Sequence, residues 1–364
     1  MKIDFANLQL QYQAYKNDID QKIQSILKKS NYILGEEVDE LEENLQKFTG
    51  AKHAITCSSG TDALLLALIT LNIKPGDEII TTPFTWISTA ETIALINAKP
   101  VFVDIEPDTF NIDSNLIEKS ITKKTKAIMP VSLFGQPPDI DHIQKIARQY
   151  NLKIILDGAQ SFGSTYKRKK DSTYGDISIT SFFPSKPFGC YGDGGAVFTN
   201  NLKYAEKLRS LRVHGQNKRN NHKYIGMGAR MDTLQAAVLL AKFPYFSKEL
   251  INRQKIAEYY TNNLSNILKV PVVKKNRTSS WAQYTIRVKN RKFFQTKLKE
   301  KKIPTSIFYS KPLHLQKCFE YLNYNKKKFL VSEKASTEVI SLPINAFLNK
   351  EQINYIIKKI KEIL

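Results

Sequence analysis

Short β-rich runs alternate with helical patterns through more than half of the chain, and this rhythm limits the fold more than any other property of the sequence. The runs fall at 54–57, 78–82, 100–104, 126–133, 153–156, 177–183 and 196–199. Helical patterns at 60–71, 87–97 and 140–150 lie between them, each after the carboxyl end of a run. This succession predicts an α/β fold, a mostly parallel seven-stranded sheet with helices on both faces. Ligands of such sheets bind outside the carboxyl ends of the strands. The residues that follow the runs are therefore the ones to read for chemistry.

Past residue 231 the pattern becomes helical as far as 264. Pro244 predicts a division into two helices, because proline lacks the amide hydrogen and clashes with the turn before it. Beyond residue 270 a smaller α+β unit is expected: a strand at 283–288, a helix at 291–302, a strand at 305–309 and a closing helix at 350–364. A length of 364 residues suits two domains. The expected division is a large domain over 1–250 and a small C-terminal one over 251–364.

Composition removes several function classes. The start, MKIDFANLQLQYQ, has no apolar core of a secretory leader. The longest apolar stretch, 63–71, is far too short to span a bilayer. Cys57, Cys190 and Cys318 are widely spaced and odd in number, which predicts neither a disulfide framework nor a zinc site, and no other metal is expected. A cytoplasmic location fits best. The net charge of +21 invites a nucleic-acid reading. The lysines are scattered along helical patterns, however, and the densest runs, 167–170 and 274–277, resemble solvated loop tips. With no helix-turn-helix, zinc-finger or aromatic-basic motif, neither nucleic acid nor membrane is the expected partner. The charge can still draw in a small phosphorylated substrate.

Four strand-end positions carry chemistry. Lys186 follows the apolar run ISITSFF and precedes a glycine-rich turn, Gly192-Asp193-Gly194-Gly195. A desolvated lysine there titrates low enough to act as a nucleophile; the alternative is one more solvated lysine. Ser59-Gly60-Thr61 opens a helix whose first amides favour an anion such as phosphate; the alternative is an ordinary cap. Asp157 ends the run KIIL and can hold a cationic ring nitrogen, with Gln160 within reach of the same ligand; the alternative is a helix N-cap. Trp86 can stack on a flat ring, or it packs in the core.

Together these parts describe a pocket for pyridoxal phosphate. At this point the chain strongly resembles the DegT/DnrJ/EryC1/StrS family of nucleotide-sugar aminotransferases, and most closely its sugar 3-aminotransferases. The resemblance runs from NYILGEEVDELE through SSGTDALLLAL, PGDEIITTPFTWISTAET, AKPVFVDIEPDTFNID, DGAQSFG, SFFPSKPFGCYGDGGA and RMDTLQAA to YSKPLHLQ. It implies the fold type of aspartate aminotransferase and a homodimer whose subunits share each active site. It also implies roles for single residues. Lys186 matches the lysine that binds the cofactor covalently, Asp157 the partner of the pyridine nitrogen, and Gln160 the contact to the ring hydroxyl. Gly60, Thr61 and Ser181 match the phosphate grip, and Trp86 the stacking ring. Arg230, Phe308, Tyr309 and His314 fall where members gather substrate contacts.

Two departures from the family pattern stand out. Many relatives read Gly-x-Asn-x-Arg, the asparagine reaching the neighbour's cofactor phosphate, where this chain has Gly226-Met227-Gly228-Ala229-Arg230. Relatives acting on 3-keto uronic acids carry a His-Tyr pair where this chain has Phe308-Tyr309. The implied reaction takes the amine of L-glutamate, leaves pyridoxamine phosphate, and then aminates a nucleotide-linked keto sugar. The SFFPSK segment and the turn after it resemble the C-3 group. Phe308 puts UDP-3-keto-N-acetylglucosamine first as substrate, giving the 2-acetamido-3-amino sugar of amide-linked lipid A and surface polysaccharides. A UDP-3-keto uronic acid comes second and a dTDP-3-keto-6-deoxy sugar third. Outside this class stands a non-catalytic regulatory homologue.

Overall fold

The computed structural model describes residues 2–364. Helices α1 (Leu8–Lys29) and α2 (Glu36–Thr49) precede the sheet. An alternating series follows: β1 (His53–Cys57), α3 (Gly60–Thr70), β2 (Glu78–Thr81), α4 (Ser88–Leu95), β3 (Lys99–Phe102), β4 (Thr125–Ile128), α5 (Ile140–Gln149), β5 (Lys153–Asp157), β6 (Ile177–Ser181), β7 (Gly195–Thr199) and α6 (Leu202–Leu211). The seven strands form one sheet in the order β1-β7-β6-β5-β4-β2-β3. Only β7 runs against the others, pairing antiparallel with both β1 and β6. The expected α/β architecture is therefore the observed one.

Helices cover both faces because the strands alternate apolar residues to each side. On one face Ile55, Ile79, Ile155, Ile177, Ile179 and Val197 pack beneath α3 and α6. On the other, Ala54, Ala196, Phe198 and Phe182 meet α2 and a long helix, α7 (Thr233–Leu264), around a phenylalanine cluster. Phe162, Phe188 and Phe246 lie at its centre, with ring centroids 4.7–5.5 Å apart.

The expected break at Pro244 does not occur, since α7 is one helix with the proline inside. A proline in mid-helix costs roughly 3 kcal/mol. Packing on both sides of it outweighs that cost. Ala236, Leu239 and Leu240 before Pro244 and Phe246, Ile256, Ala257 and Tyr260 after it are all buried. Helix α1 also lies along α7, with Ile19 against Val238 and Ala241 and the Tyr15 ring stacked on Tyr245 at 4.2 Å.

The last part of the chain adds β8 (Tyr284–Arg287), α8 (Arg291–Glu300), α9 (Leu330–Glu338), β9 (Val339–Leu342) and α10 (Lys350–Ile363). The strand expected at 305–309 is absent. The partner of β8 is β9, and Ser306 makes only an isolated bridge to Ser341. The second half of α7, the β8–β9 pair, α8 and α10 enclose a separate apolar cluster that includes Tyr260, Tyr284, Ile340, Ile356 and Ile360. No helix among the described residues is long and apolar enough to cross a membrane.

Candidate active site

The carboxyl ends of β1, β5 and β6 bring the sequence motifs together. Asp157 is the last residue of β5 and Ser181 the last of β6, and Gly60 begins α3 just past β1. A Cβ on Gly60 would stand 2.7 Å from the Cβ of Ser181. Only glycine therefore lets α3 start this close to β6. Ser59 caps the helix, its hydroxyl accepting from the Asp62 amide at 3.0 Å. The amides of Gly60 and Thr61 have no acceptor among the described residues. The Thr61 hydroxyl is held 2.7 Å from that of Ser88. Open amides at a helix N-terminus beside three hydroxyls form an anion cradle, so these residues fit a phosphate.

Asp157 is buried, and its carboxylate is fixed at both oxygens. Thr89 of α4 donates to Oδ2 at 2.8 Å, and the Ala159 amide donates to Oδ1 at 3.1 Å. Burial raises the Asp157 pKa, while Thr89, Ala159 and the charge of Lys186 work against that rise. Lys186 sits on the loop after β6, and burial pushes its amine down to about 8 against the pull of Asp157. The amine has no hydrogen-bond or ion-pair partner among the described residues. Here, then, are an unengaged amine of lowered pKa and an oriented carboxylate that feel each other's charge.

Gln160 is committed at both ends of its amide. Its oxygen accepts from the Phe134 amide at 2.8 Å, and its nitrogen donates to the Tyr309 hydroxyl at 3.0 Å. Trp86 is 59% exposed, which excludes the core-packing alternative. Its ring lies 6.3 Å from that of Tyr309, so the two aromatics share one wall. Phe308 is half-buried, its ring 6.4 Å from Phe5. Arg230 lines a polar cavity of about 440 Å³ with Ser58, Gly192, Asp193, Gly228 and Asp232. Its Nε is buried without a partner.

His314 is engaged inside the chain. Its side chain is fully buried, Nε2 lying 3.2 Å from the Glu333 carboxylate, which accepts, with its ring against Phe329 at 4.8 Å. It packs beside Leu313 in the cluster with Phe102 and Phe319. Gly228 lies beside His214, whose ring atoms would stand 3.1 Å from a Cβ at that position. Sequence reasoning missed Thr89 and Phe134, which fix Asp157 and Gln160. Neither carries a local signal, because each reaches its partner only across the folded sheet.

A large α/β sheet with an amine, a carboxylate and an anion cradle at its strand ends has the makings of a pyridoxal-phosphate enzyme. The chain belongs to the DegT/DnrJ/EryC1/StrS aminotransferase family, whose family model matches residues 13–361. It is a pyridoxal-phosphate-dependent aminotransferase of nucleotide-linked sugars. One similar protein is the UDP-2-acetamido-2-deoxy-3-oxo-D-glucuronate aminotransferase of Pseudomonas aeruginosa, 46% identical over 97% of this chain and 98% of that protein. Another is the UDP-N-acetyl-3-dehydro-alpha-D-glucosamine 3-aminotransferase of Acidithiobacillus ferrooxidans, 36% identical over 100% of this chain and 98% of that one. Among solved structures, NtdA of Bacillus subtilis with bound cofactor PMP aligns with a TM-score of 0.94 at 30% identity, covering 100% of this chain and 85% of that one.

Proposed function

We propose that the chain transfers an amino group from L-glutamate to C-3 of a UDP-linked 3-keto-2-acetamido sugar, with the C-6 uronic acid as the leading substrate. The observation that carries the amine chemistry is the pairing of unengaged Lys186 with oriented Asp157. When bound, pyridoxal phosphate supplies an aldehyde for the amine and a ring that stores the electron pair of the broken C–H bond. The open amides of Gly60 and Thr61, with the hydroxyls of Thr61 and Ser181, would hold its phosphate. Asp157, anchored by Thr89 and Ala159, would keep the ring nitrogen protonated. Gln160 and Trp86 would fix the ring's edge and face. Lys186, neutral in a good fraction of molecules near pH 8, takes and returns the proton moved in each half-reaction.

Two observations support the uronate. Identity to the P. aeruginosa uronate enzyme is 46%, against 36% for the A. ferrooxidans enzyme. Arg230 lines a polar cavity of about 440 Å³, where its guanidinium suits an anion. One resemblance favours the hydroxymethyl sugar as a second reading: Phe308 falls where relatives acting on 3-keto uronic acids commonly carry histidine. The product would then be the amino sugar of amide-linked lipid A. The test is a side-by-side assay of both UDP-3-keto sugars with glutamate. The uronate should be preferred by roughly tenfold or more in kcat/KM. A preference for the hydroxymethyl sugar would install the second reading.

The proposal includes a homodimer with composite sites. Ile225 is 96% exposed, and Tyr32, Ile33 and Leu34 are exposed as well, on segments flanking the Arg230 cavity. Such apolar groups suit burial against a second copy. The division into a cofactor-binding part over 1–250 and a smaller part over 251–364 belongs to the same proposal, supported by the separate apolar cluster around Tyr284.

A further inference from the structure

Helix α7 carries a second buried amine, which the reaction does not use. Lys242 is 2% exposed. Its ammonium donates to the carbonyl of Gly189 and lies 5.3 Å from the centre of the Tyr191 ring. No carboxylate stands within ion-pair distance of it among the described residues. Glu249, two turns further along α7, is engaged by the amide of Gln11 at 3.0 and 3.1 Å. Arg253 is engaged by the carbonyls of Trp281 and Ile344 at 3.0 and 3.1 Å. Burial draws the Lys242 amine down to about 8, with Glu249 and Cys190 pulling it up and Arg253 pushing it further down.

Gly189 is where the Lys186 loop closes on itself. A Cβ there would stand 2.5 Å from the carbonyl oxygens of both Phe183 and Pro184. The Lys186 amide donates to Phe183 O at 2.8 Å, and the Cys190 amide donates to Phe182 O at 2.7 Å. The Gly189 carbonyl therefore belongs to a short, tightly wound segment, and holding it holds the segment. A buried ammonium whose only hydrogen-bond acceptor is one carbonyl is poorly compensated for the water it has lost. An uncharged side chain of similar length would relieve that cost but leave the Gly189 carbonyl without its donor. What the amine adds is a hold on one carbonyl of the loop.

We propose that Lys242 is a positioning residue for Lys186: by holding the Gly189 carbonyl from behind, it fixes the closed end of the loop and with it the place of the reactive amine opposite Asp157. The inference rests on the reading of Lys186 as that amine. It makes α7 more than a wall of the core, because a helix that packs on the sheet also sets the loop at the sheet's working edge.

The test compares Lys242→Met and Lys242→Gln with wild type in the full-length protein. Three quantities are read: thermal midpoint, hydrogen exchange of the peptide containing Lys186 and Cys190 in the cofactor-free form, and the rate at which glutamate bleaches the cofactor band of the holoenzyme. Lys242→Met should move the midpoint little, the relieved buried charge offsetting the unpaired Gly189 carbonyl, speed loop exchange about tenfold and slow the glutamate reaction roughly thirtyfold. Lys242→Gln, which keeps an N–H donor, should fall between Met and wild type in both exchange and rate. Exchange and rate within twofold of wild type in Lys242→Met would overturn the proposal. So would a rate that falls only as far as the folded fraction does. If Lys242→Met does not fold, Lys242→Gln decides alone, and loop exchange equal to wild type overturns the proposal. Failure of the underlying reading is separately visible, because Lys186→Ala would then leave the cofactor band in place while loop exchange still reports on Lys242.

Discussion

The rim of the large sheet and the β8–β9 pair treat their polar groups in opposite ways. At the rim, the amides of Gly60 and Thr61, the amine of Lys186 and the Nε of Arg230 are left without partners among the described residues. In the small pair, Thr285 and Ser341 share a hydrogen bond at 2.8 Å, and Arg287 meets Glu338 at 2.6 and 2.8 Å. Tyr260 donates to Pro343 O at 3.1 Å. Unmet donors are costly unless a ligand meets them. The difference marks the rim as the region that waits for ligands and the pair as the region that holds the chain together.

The largest effect expected of this contrast falls at the rim. Lys186→Ala should reduce turnover at least ~10³-fold, about 4 kcal/mol or more, with the thermal midpoint of the cofactor-free protein kept or raised at neutral pH, because a buried charge is removed. Residual activity within tenfold of wild type would remove Lys186 from the chemistry. A smaller effect concerns pH. Attack on the cofactor aldehyde needs a neutral amine, and burial places that of Lys186 at about 8. Stopped-flow capture of pyridoxal phosphate by the cofactor-free protein should speed up as pH rises and level off above about 8. The sign for stability follows from the same lowering. The buried ammonium disfavours the native state below that pH, and the penalty fades as pH climbs from about 8 toward the ordinary lysine value. A capture midpoint near the ordinary lysine value would mean that burial is not felt. The smallest effect belongs to the other region. Arg287→Met should cost about 2 kcal/mol of stability in urea unfolding and leave kcat within twofold. A loss of activity greater than the loss of folded protein would erase the distinction between the two regions.

Much of the rim was legible in the sequence because strand ends are. Asp157, Ser181 and Gly60 sit where an apolar run stops, and the βαβ rhythm alone sends those stops to one edge. What joins across the fold was not legible. Thr89 reaches Asp157 from another helix, and the Phe134 amide fixes the Gln160 side chain. His314 carries the same letters whether it faces a substrate or Glu333, and only the packing of Phe102, Phe319 and Phe329 decides. The continuity of α7 through Pro244 has the same cause, burial on both sides that no local propensity records. The strand expected at 305–309 failed for a related reason. The apolar run 339–342 competes for the same edge of β8, and it pairs over four residues where Ser306 manages one.

The reversed direction of β7 has a consequence for how the site comes into being. Because β7 runs against β6, the loop with Lys186 leaves and re-enters the sheet at one edge, as the bend of a hairpin between neighbours in sequence. Contacts of that kind close with little loss of chain freedom and form early. The meeting of Gly60 with Ser181 joins segments far apart in the chain, and Asp157 enters the sheet by parallel pairing, the slower kind. On this topology the loop that carries Lys186 can take shape first, and the cradle and the carboxylate are assembled around it afterwards.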